Sequence, residues 1–138
     1  MKTLFVDTSA WAALYNSKDR HHVEAKELLS TRSASIDLVT TDFVIDEPLT
    51  LLLVRIGYPV AVACGKALFD QRVAKIASAE ADTLRDTWDV FKKFNHDKKW
   101  SFTDCLSYVV MKQWGIDTVF TFDRTDFGQM GVRVVPKE

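Results

Sequence analysis

Little in this chain marks a specialised class. Only two cysteines, Cys64 and Cys105, occur in 138 residues. They fit no metal-ligand spacing and are too few for a disulfide scaffold. Both lie in apolar helical stretches and read as buried free thiols, which suits a reducing cytoplasm. Neither sign of charge dominates. With a net charge of -1, any grip on a phosphate chain must come from a local patch or a metal. No apolar run approaches the roughly 20 residues of a membrane span, so no membrane association is expected. The opening residues carry one lysine and then a short strand pattern ending in Asp7, which does not read as a signal peptide. There is no repeat, no low-complexity tract and no obvious linker. One domain over residues 1–138 is expected, and a hydrophobic share of 47% is ample for its core.

What the chain does have is alternation. Strand patterns fall at Thr3–Val6, Asp37–Thr40, Arg72–Ile76, Thr118–Phe122 and Val132–Val135. Helical patterns fall at Ala10–Tyr15, His21–Leu29, Thr41 to about Ile56, Pro59–Phe69, from Ser78 to Phe94, and Phe102–Trp114 with Gly115 as its stop. Pro48 should kink or restart the third helix. The helix after Ser78 is expected to bury Leu84, Trp88, Phe91 and Phe94. Asn95–Lys99 and Asp123–Phe127 read as loops. Such alternation gives an α/β fold, a three-layer α/β/α sandwich with a mainly parallel central sheet. The first and last two strands are unbroken apolar runs, the pattern of strands covered on both faces.

Four acids stand out against this frame. Asp7 and Asp123 each end an apolar strand, where open α/β sheets place their ligands. Glu47 and Asp104 occupy the first turns of helices that should pack beside those strands. Each has an ordinary explanation. Asp7 can cap a helix with Thr8 and Ser9. Asp46 and Glu47 can be exposed helix charges, which is the better reading of Asp46. Asp104 can complete a capping box opened by Ser101. Asp123 and its neighbour Asp126 can be turn residues. The conjunction is harder to dismiss. All four can converge on one edge of one sheet, and such a cluster needs a counter-charge. A divalent ion with oxygen ligands supplies one.

Val6-Asp7-Thr8-Ser9-Ala10, Thr41 through Glu47 to Leu53, Ser101-Phe102-Thr103-Asp104, and Phe120-Thr121-Phe122-Asp123 with Phe127 together resemble the motifs of the PIN domain. More narrowly they resemble the VapC-type toxins of VapBC toxin–antitoxin pairs, and the likeness spans the whole chain. The resemblance implies a metal-dependent endoribonuclease, using Mg²⁺ or Mn²⁺, in which Asp7, Glu47, Asp104 and Asp123 are the catalytic acids. Thr8, Ser9 and Thr103 match the polar accompaniment. Pro48 after the glutamate and Arg124-Thr125-Asp126 before Phe127 depart from the usual pattern, so Asp123 and Asp126 both stand as the fourth acid. On this reading Asp7 and Asp104 hold the metal directly, while Glu47 and Asp123 act through water.

Basic residues must guide RNA in. Lys92, Lys93, Lys98 and Lys99 bracket Phe91, Phe94 and Trp100, and Lys98 and Lys99 are the weak candidates for substrate contact. A solvated helix end with those aromatics in the core is the stronger reading. His96 is a weak loop candidate, and His21 and His22 are given no role. The apolar surplus of Leu49–Ile56 and Pro59–Phe69 is core, or else a homodimer face with a groove for the antitoxin that the resemblance implies. A housekeeping PIN nuclease of RNA processing and a non-catalytic acidic binding module remain open. A response-regulator receiver is disfavoured, since Asp7 is single and no lysine follows the late strand.

Overall fold

The computed structural model describes residues 2–31, 35–70 and 73–137. Five strands form one sheet in the order β3-β2-β1-β4-β5, and every pairing is parallel. The strands are β1 (Thr3–Val6), β2 (Asp37–Thr41), β3 (Lys75–Ala77), β4 (Thr118–Phe120) and β5 (Arg133–Val135). The helices are α1 (Thr8–Tyr15), α2 (His22–Thr31), α3 (Asp42–Arg55), α4 (Tyr58–Phe69), α5 (Ala81–Phe94), α6 (Phe102–Trp114) and α7 (Arg124–Gln129).

From β1 the chain steps outward to β2 and β3, then returns across the sheet to β4 and β5. Right-handed crossovers put α1 to α4 on one face and α5 to α7 on the other. The packing of α1 on α2 and α3, α3 on α4, and α5 on α6 agrees with this. The progression reverses between β1 and β4, and the carboxyl ends there form the crevice in which such sheets bind ligands. Register makes the crevice compact: Val6 lies beside Phe120, so Asp7 and Thr121 emerge side by side. The Asp7 N–H extends the ladder to the Phe120 carbonyl at 3.0 Å. Phe5, Val6, Trp11, Val119, Phe120 and Phe127 are fully buried beneath it. The Trp11 indole N–H reaches the Thr40 hydroxyl at 3.2 Å, and that hydroxyl donates to the Val6 carbonyl at 2.9 Å. This buried pair of bonds locks α1 over β1 and β2.

The expected α/β fold with a parallel sheet stands, and several element boundaries shift. The third strand covers Lys75–Ala77, and Arg72 lies outside the described residues. β4 ends at Phe120, and Arg124–Gln129 form α7 where a loop was expected, because buried Phe127 draws this turn onto the core. β5 is an edge strand, so its residues are exposed or only half-buried. On α5, Trp88 is 44% exposed instead of buried, and Thr87 is the residue that packs inward. Trp88 stacks on Phe91 with the Lys92 ammonium 5.3 Å above its ring.

Pro48 does not interrupt α3, which runs from Asp42 to Arg55. The missing N–H of Pro48 releases the Val44 carbonyl. The Thr8 hydroxyl takes up that carbonyl at 3.4 Å. Beyond Pro48 the apolar surplus divides: Leu52, Cys64 and Leu68 join the core, while Leu53, Val54 and Tyr58 are 49%, 75% and 71% exposed. No described helix is long and apolar enough to cross a membrane.

Candidate active site

A cavity of about 620 Å³ opens at the crevice between β1 and β4. Asp7, Glu47, Asp104, Asp123 and Asp126 all line it. All four sequence-predicted acids therefore converge, and the alternative fourth acid joins them. Thr8, Ser9 and Thr103 line it too. Asp46 does not share this wall; it is exposed elsewhere on α3.

Asp7 sits at the cap position of α1 but makes no side-chain cap bond. The ordinary explanation of this residue therefore fails. Its carboxylate is buried instead, 4% exposed, and Oδ2 accepts the Thr121 hydroxyl at 2.9 Å. Thr121 has one hydroxyl proton, so its oxygen must accept from its other neighbours. Those are the Asp123 N–H at 3.0 Å and the Ser9 hydroxyl at 3.0 Å. Ser9 Oγ in turn accepts the Phe122 N–H at 2.9 Å. One hydroxyl thus ties the two strand-end acids to each other, and Ser9 pins the backbone between them. The other oxygen of Asp7, Oδ1, is buried without a hydrogen-bond partner. Burial pushes this carboxyl from its ordinary 3.8 up to about 6, against the pull of the Thr8 amide and the Thr121 hydroxyl. The negative charges of Asp123 and Glu47 push the same way as burial.

Asp104 occupies the first turn of α6. Ser101 caps that helix by accepting the Asp104 N–H at 3.0 Å, which leaves the Asp104 carboxyl free to face the cavity. Carboxylate oxygens of Asp104, Asp123 and Asp126 lie within 4.8 Å of one another. Burial, then the charge of Asp7 and the hydrogen bond and charge of Asp126, push Asp104 from 3.8 to about 7. Like charges this close disfavour joint ionisation unless a cation intervenes. Asp7 stands beside this trio rather than within it. Glu47 is exposed and lines the cavity from α3, one turn after the Val44 carbonyl that Thr8 holds.

Two cations line the same cavity, Lys99 and Arg55. Lys98 does not; its ammonium lies 3.8 Å from Asp97. Phe91 and Phe94 are half-buried against the core and Trp100 is buried, with its indole N–H on Gln129 at 2.9 Å. The aromatics beside the basic stretch are therefore structural. His22 also has a structural task, its Nδ1 lying 2.7 Å from the Ala13 carbonyl.

Three contributors escape a reading of the sequence. Thr121 looks like a plain strand residue there, although its hydroxyl is the hub of the site. Arg55 lies eight residues after Glu47, two turns along the same face of α3, so helical spacing could have found it. His21 reaches the cavity from the α1–α2 loop, and only the Asp19-x-His21 turn hints that its backbone is fixed.

This combination of a wholly parallel sheet and a carboxylate crevice at its switch point matches a known class of fold. The PIN domain model matches residues 4–132, and the chain belongs to the PIN domain family. More particularly, it is 35% identical over 135 residues to the 23S rRNA-specific endonuclease VapC20 of Mycobacterium tuberculosis, a match spanning 97% of this chain and 99% of that protein. The crystal structure of VapC20, described as a sarcin–ricin loop cleaving toxin, superposes with a TM-score of 0.84 at 33% identity, over 94% of this chain and 95% of that one. VapBC2 of Rickettsia felis, solved on promoter DNA, shares the fold at a TM-score of 0.70 and 10% identity, covering 96% of each chain.

Proposed function

We propose that this chain is a metal-dependent endoribonuclease and the toxin component of a toxin–antitoxin pair. The observation that carries the reading is the crevice itself. It holds three carboxylates within 4.8 Å of one another, and beside them a buried aspartate oxygen without a partner. An all-oxygen donor set of this kind fits Mg²⁺ or Mn²⁺. Asp7 and Asp104 would hold the ion, with Asp123 and Asp126 completing or relaying the set. When bound, the ion supplies an activated water at neutral pH and relieves charge on the scissile phosphate.

The chain's own residues do the rest. Thr121 and Ser9 fix Asp7, Phe122 and Asp123 before substrate arrives, so little reorganisation is needed. Glu47 faces the crevice from α3 and orients the attacking water. Arg55 and Lys99 meet the phosphate backbone on either side, giving an otherwise acidic crevice a path for RNA. VapC20 is a 23S rRNA endonuclease, which makes a ribosomal RNA hairpin the first substrate to try here.

An antitoxin and a second copy of this chain are the proposed partners. Leu53, Val54 and Tyr58 leave an apolar stripe exposed on the α3–α4 arm. An antitoxin segment could reach from there into the crevice and set a basic side chain among the acids, competing with metal. The proposed setting is the cytoplasm, where Cys64 and Cys105 stay as free, buried thiols.

The test is cleavage of labelled 23S rRNA fragments by purified protein, with Mg²⁺, with Mn²⁺ and with chelator. Metal-dependent cutting that Asp104→Asn abolishes supports the reading. Cutting that persists in chelator, or equal cutting by the variant, refutes it.

A further inference from the structure

The crevice contains one feature that carboxylate chemistry does not use. The imidazole of His21 lies flat against the ring of Phe122, with centroids 4.2 Å apart and planes 7° from parallel. Both residues line the acidic cavity. We propose that His21, backed by Phe122, is a stacking platform for a nucleobase beside the scissile phosphate. This rests on the ribonuclease reading above and assigns that site a way of holding its substrate.

The platform is fixed from below and from the side. Phe122 immediately precedes Asp123, and its N–H is held by Ser9 at 2.9 Å. Its ring meets Phe120 edge-on at 6.0 Å, so it is anchored to the core. The His21 N–H donates to Asp19 Oδ1 at 2.8 Å, and the His21 carbonyl accepts the Ala25 N–H at 2.9 Å. His21 Nε2 accepts the Arg20 Nε–H at 3.1 Å, which leaves Nδ1 as the nitrogen carrying the proton, 3.8 Å from Glu24. Both ring edges are therefore engaged by Arg20 and Glu24. One face is covered by Phe122, and the side chain is still 33% exposed. His21 lines the same cavity as the acids, and the ring face turned away from Phe122 is the one proposed to take the base. A base set on that face would place the adjoining phosphate close to Asp123. RNA-binding proteins use aromatic faces in this way because every base has a complementary one.

A histidine that merely shields Phe122 would also stack, so the test must separate the two. His21→Ala and His21→Phe are compared with wild type on an RNA carrying 2-aminopurine beside the cleavage site. Binding is read in chelator, where no cutting occurs, and cleavage is read with Mg²⁺. Stacking predicts quenching of the 2-aminopurine by wild type and by His21→Phe, and its loss in His21→Ala. It also predicts that His21→Ala raises KM about tenfold with kcat nearly unchanged, and that the phenylalanine variant restores KM. An abasic residue at that position should cost wild type the same factor and cost His21→Ala nothing further. Quenching that persists in His21→Ala overturns the platform. So does a fall in kcat that phenylalanine fails to rescue, which would make the imidazole a proton donor. If wild type cuts no RNA, the nuclease reading falls, while the quenching measurement still decides whether the platform stacks a base.

Discussion

Replacing Asp104 with asparagine should make the metal-free protein more stable while abolishing its activity. Moving a carboxyl from 3.8 to about 7 withholds at most about 4 kcal/mol of stability once it is ionised, and solvent screening lowers that figure for a half-buried group such as Asp104. The folded state binds the Asp104 proton more tightly than the unfolded chain does. Stability from this group is therefore complete below about pH 4 and is lost progressively as pH rises through about 7. Asp7, raised to about 6, adds a loss of the same sign over a lower range. Asparagine keeps the backbone N–H that Ser101 caps and removes the charge. It also removes the repulsion between this carboxylate and Asp7, which helps to raise Asp104.

In chelator at pH 8, Asp104→Asn should gain about 2 to 4 kcal/mol over wild type, and at pH 4 the two should agree within about 1 kcal/mol. Saturating Mg²⁺ should then reverse the order at pH 8. An ion at about a thousand times its Kd adds about 4.1 kcal/mol to a protein that binds it, enough to offset the whole of that gain, and the variant has lost a ligand. Urea denaturation followed by tryptophan fluorescence, at both pH values and with and without metal, supplies the four comparisons. If Asp104→Asn in chelator is less stable than wild type at pH 8, the acids are not a strained cluster. The charge argument for a metal site then fails.

Thr121→Val keeps the shape of the hub and removes its bonds to Asp7, Ser9 and Asp123. It should cost about 2 to 4 kcal/mol by urea denaturation and slow cleavage sharply, since Asp7 loses the donor on Oδ2. Gly115 ends α6 at φ +66, and a Cβ added there would meet nothing within 4 Å. Gly115→Ala should therefore cost only the backbone term, about 1 kcal/mol, with cleavage unchanged. Cys64 and Cys105 are fully buried, and burial pushes both thiols up to about 11. Neither should react with a thiol reagent at pH 8 in native buffer, and both should react in urea. Fast labelling of the native protein would mean that this core opens readily.

The sequence reveals most where a residue's neighbours in the chain are also its neighbours in space. Alternating patterns locate the sheet, and parallel pairing sets Val6 beside Phe120, so the acids after β1 and β4 have to meet. Asp104 is legible for a similar reason, because the cap at Ser101 fixes which way the first turn of α6 faces. Boundaries fail where a tertiary contact overrides a local pattern. Thr121 and Phe122 continue an apolar run, but the Thr121 hydroxyl bonds to Asp7, 114 residues away. Phe127 meanwhile pulls the next turn into a helix. Pro48 reads as a helix breaker because its lost bond looks uncompensated. The compensation comes from Thr8, 36 residues before the carbonyl it takes up, and no local pattern can show that. The face of α5 is misjudged because periodicity marks a stripe without saying where its edge falls, and Trp88 lies at that edge beside Lys92. His21 and Arg55 are the instructive cases. One comes from a loop and the other from the last turn of a helix. What joins them to the acids is the closure of α1, α2 and α3 over the switch point, a property of the packed layers rather than of any segment. In a site of this kind, the groups that carry charge can be read from strand ends. The groups that hold them still, and those that meet the substrate, come from distant turns of the chain and become visible only when the layers are assembled.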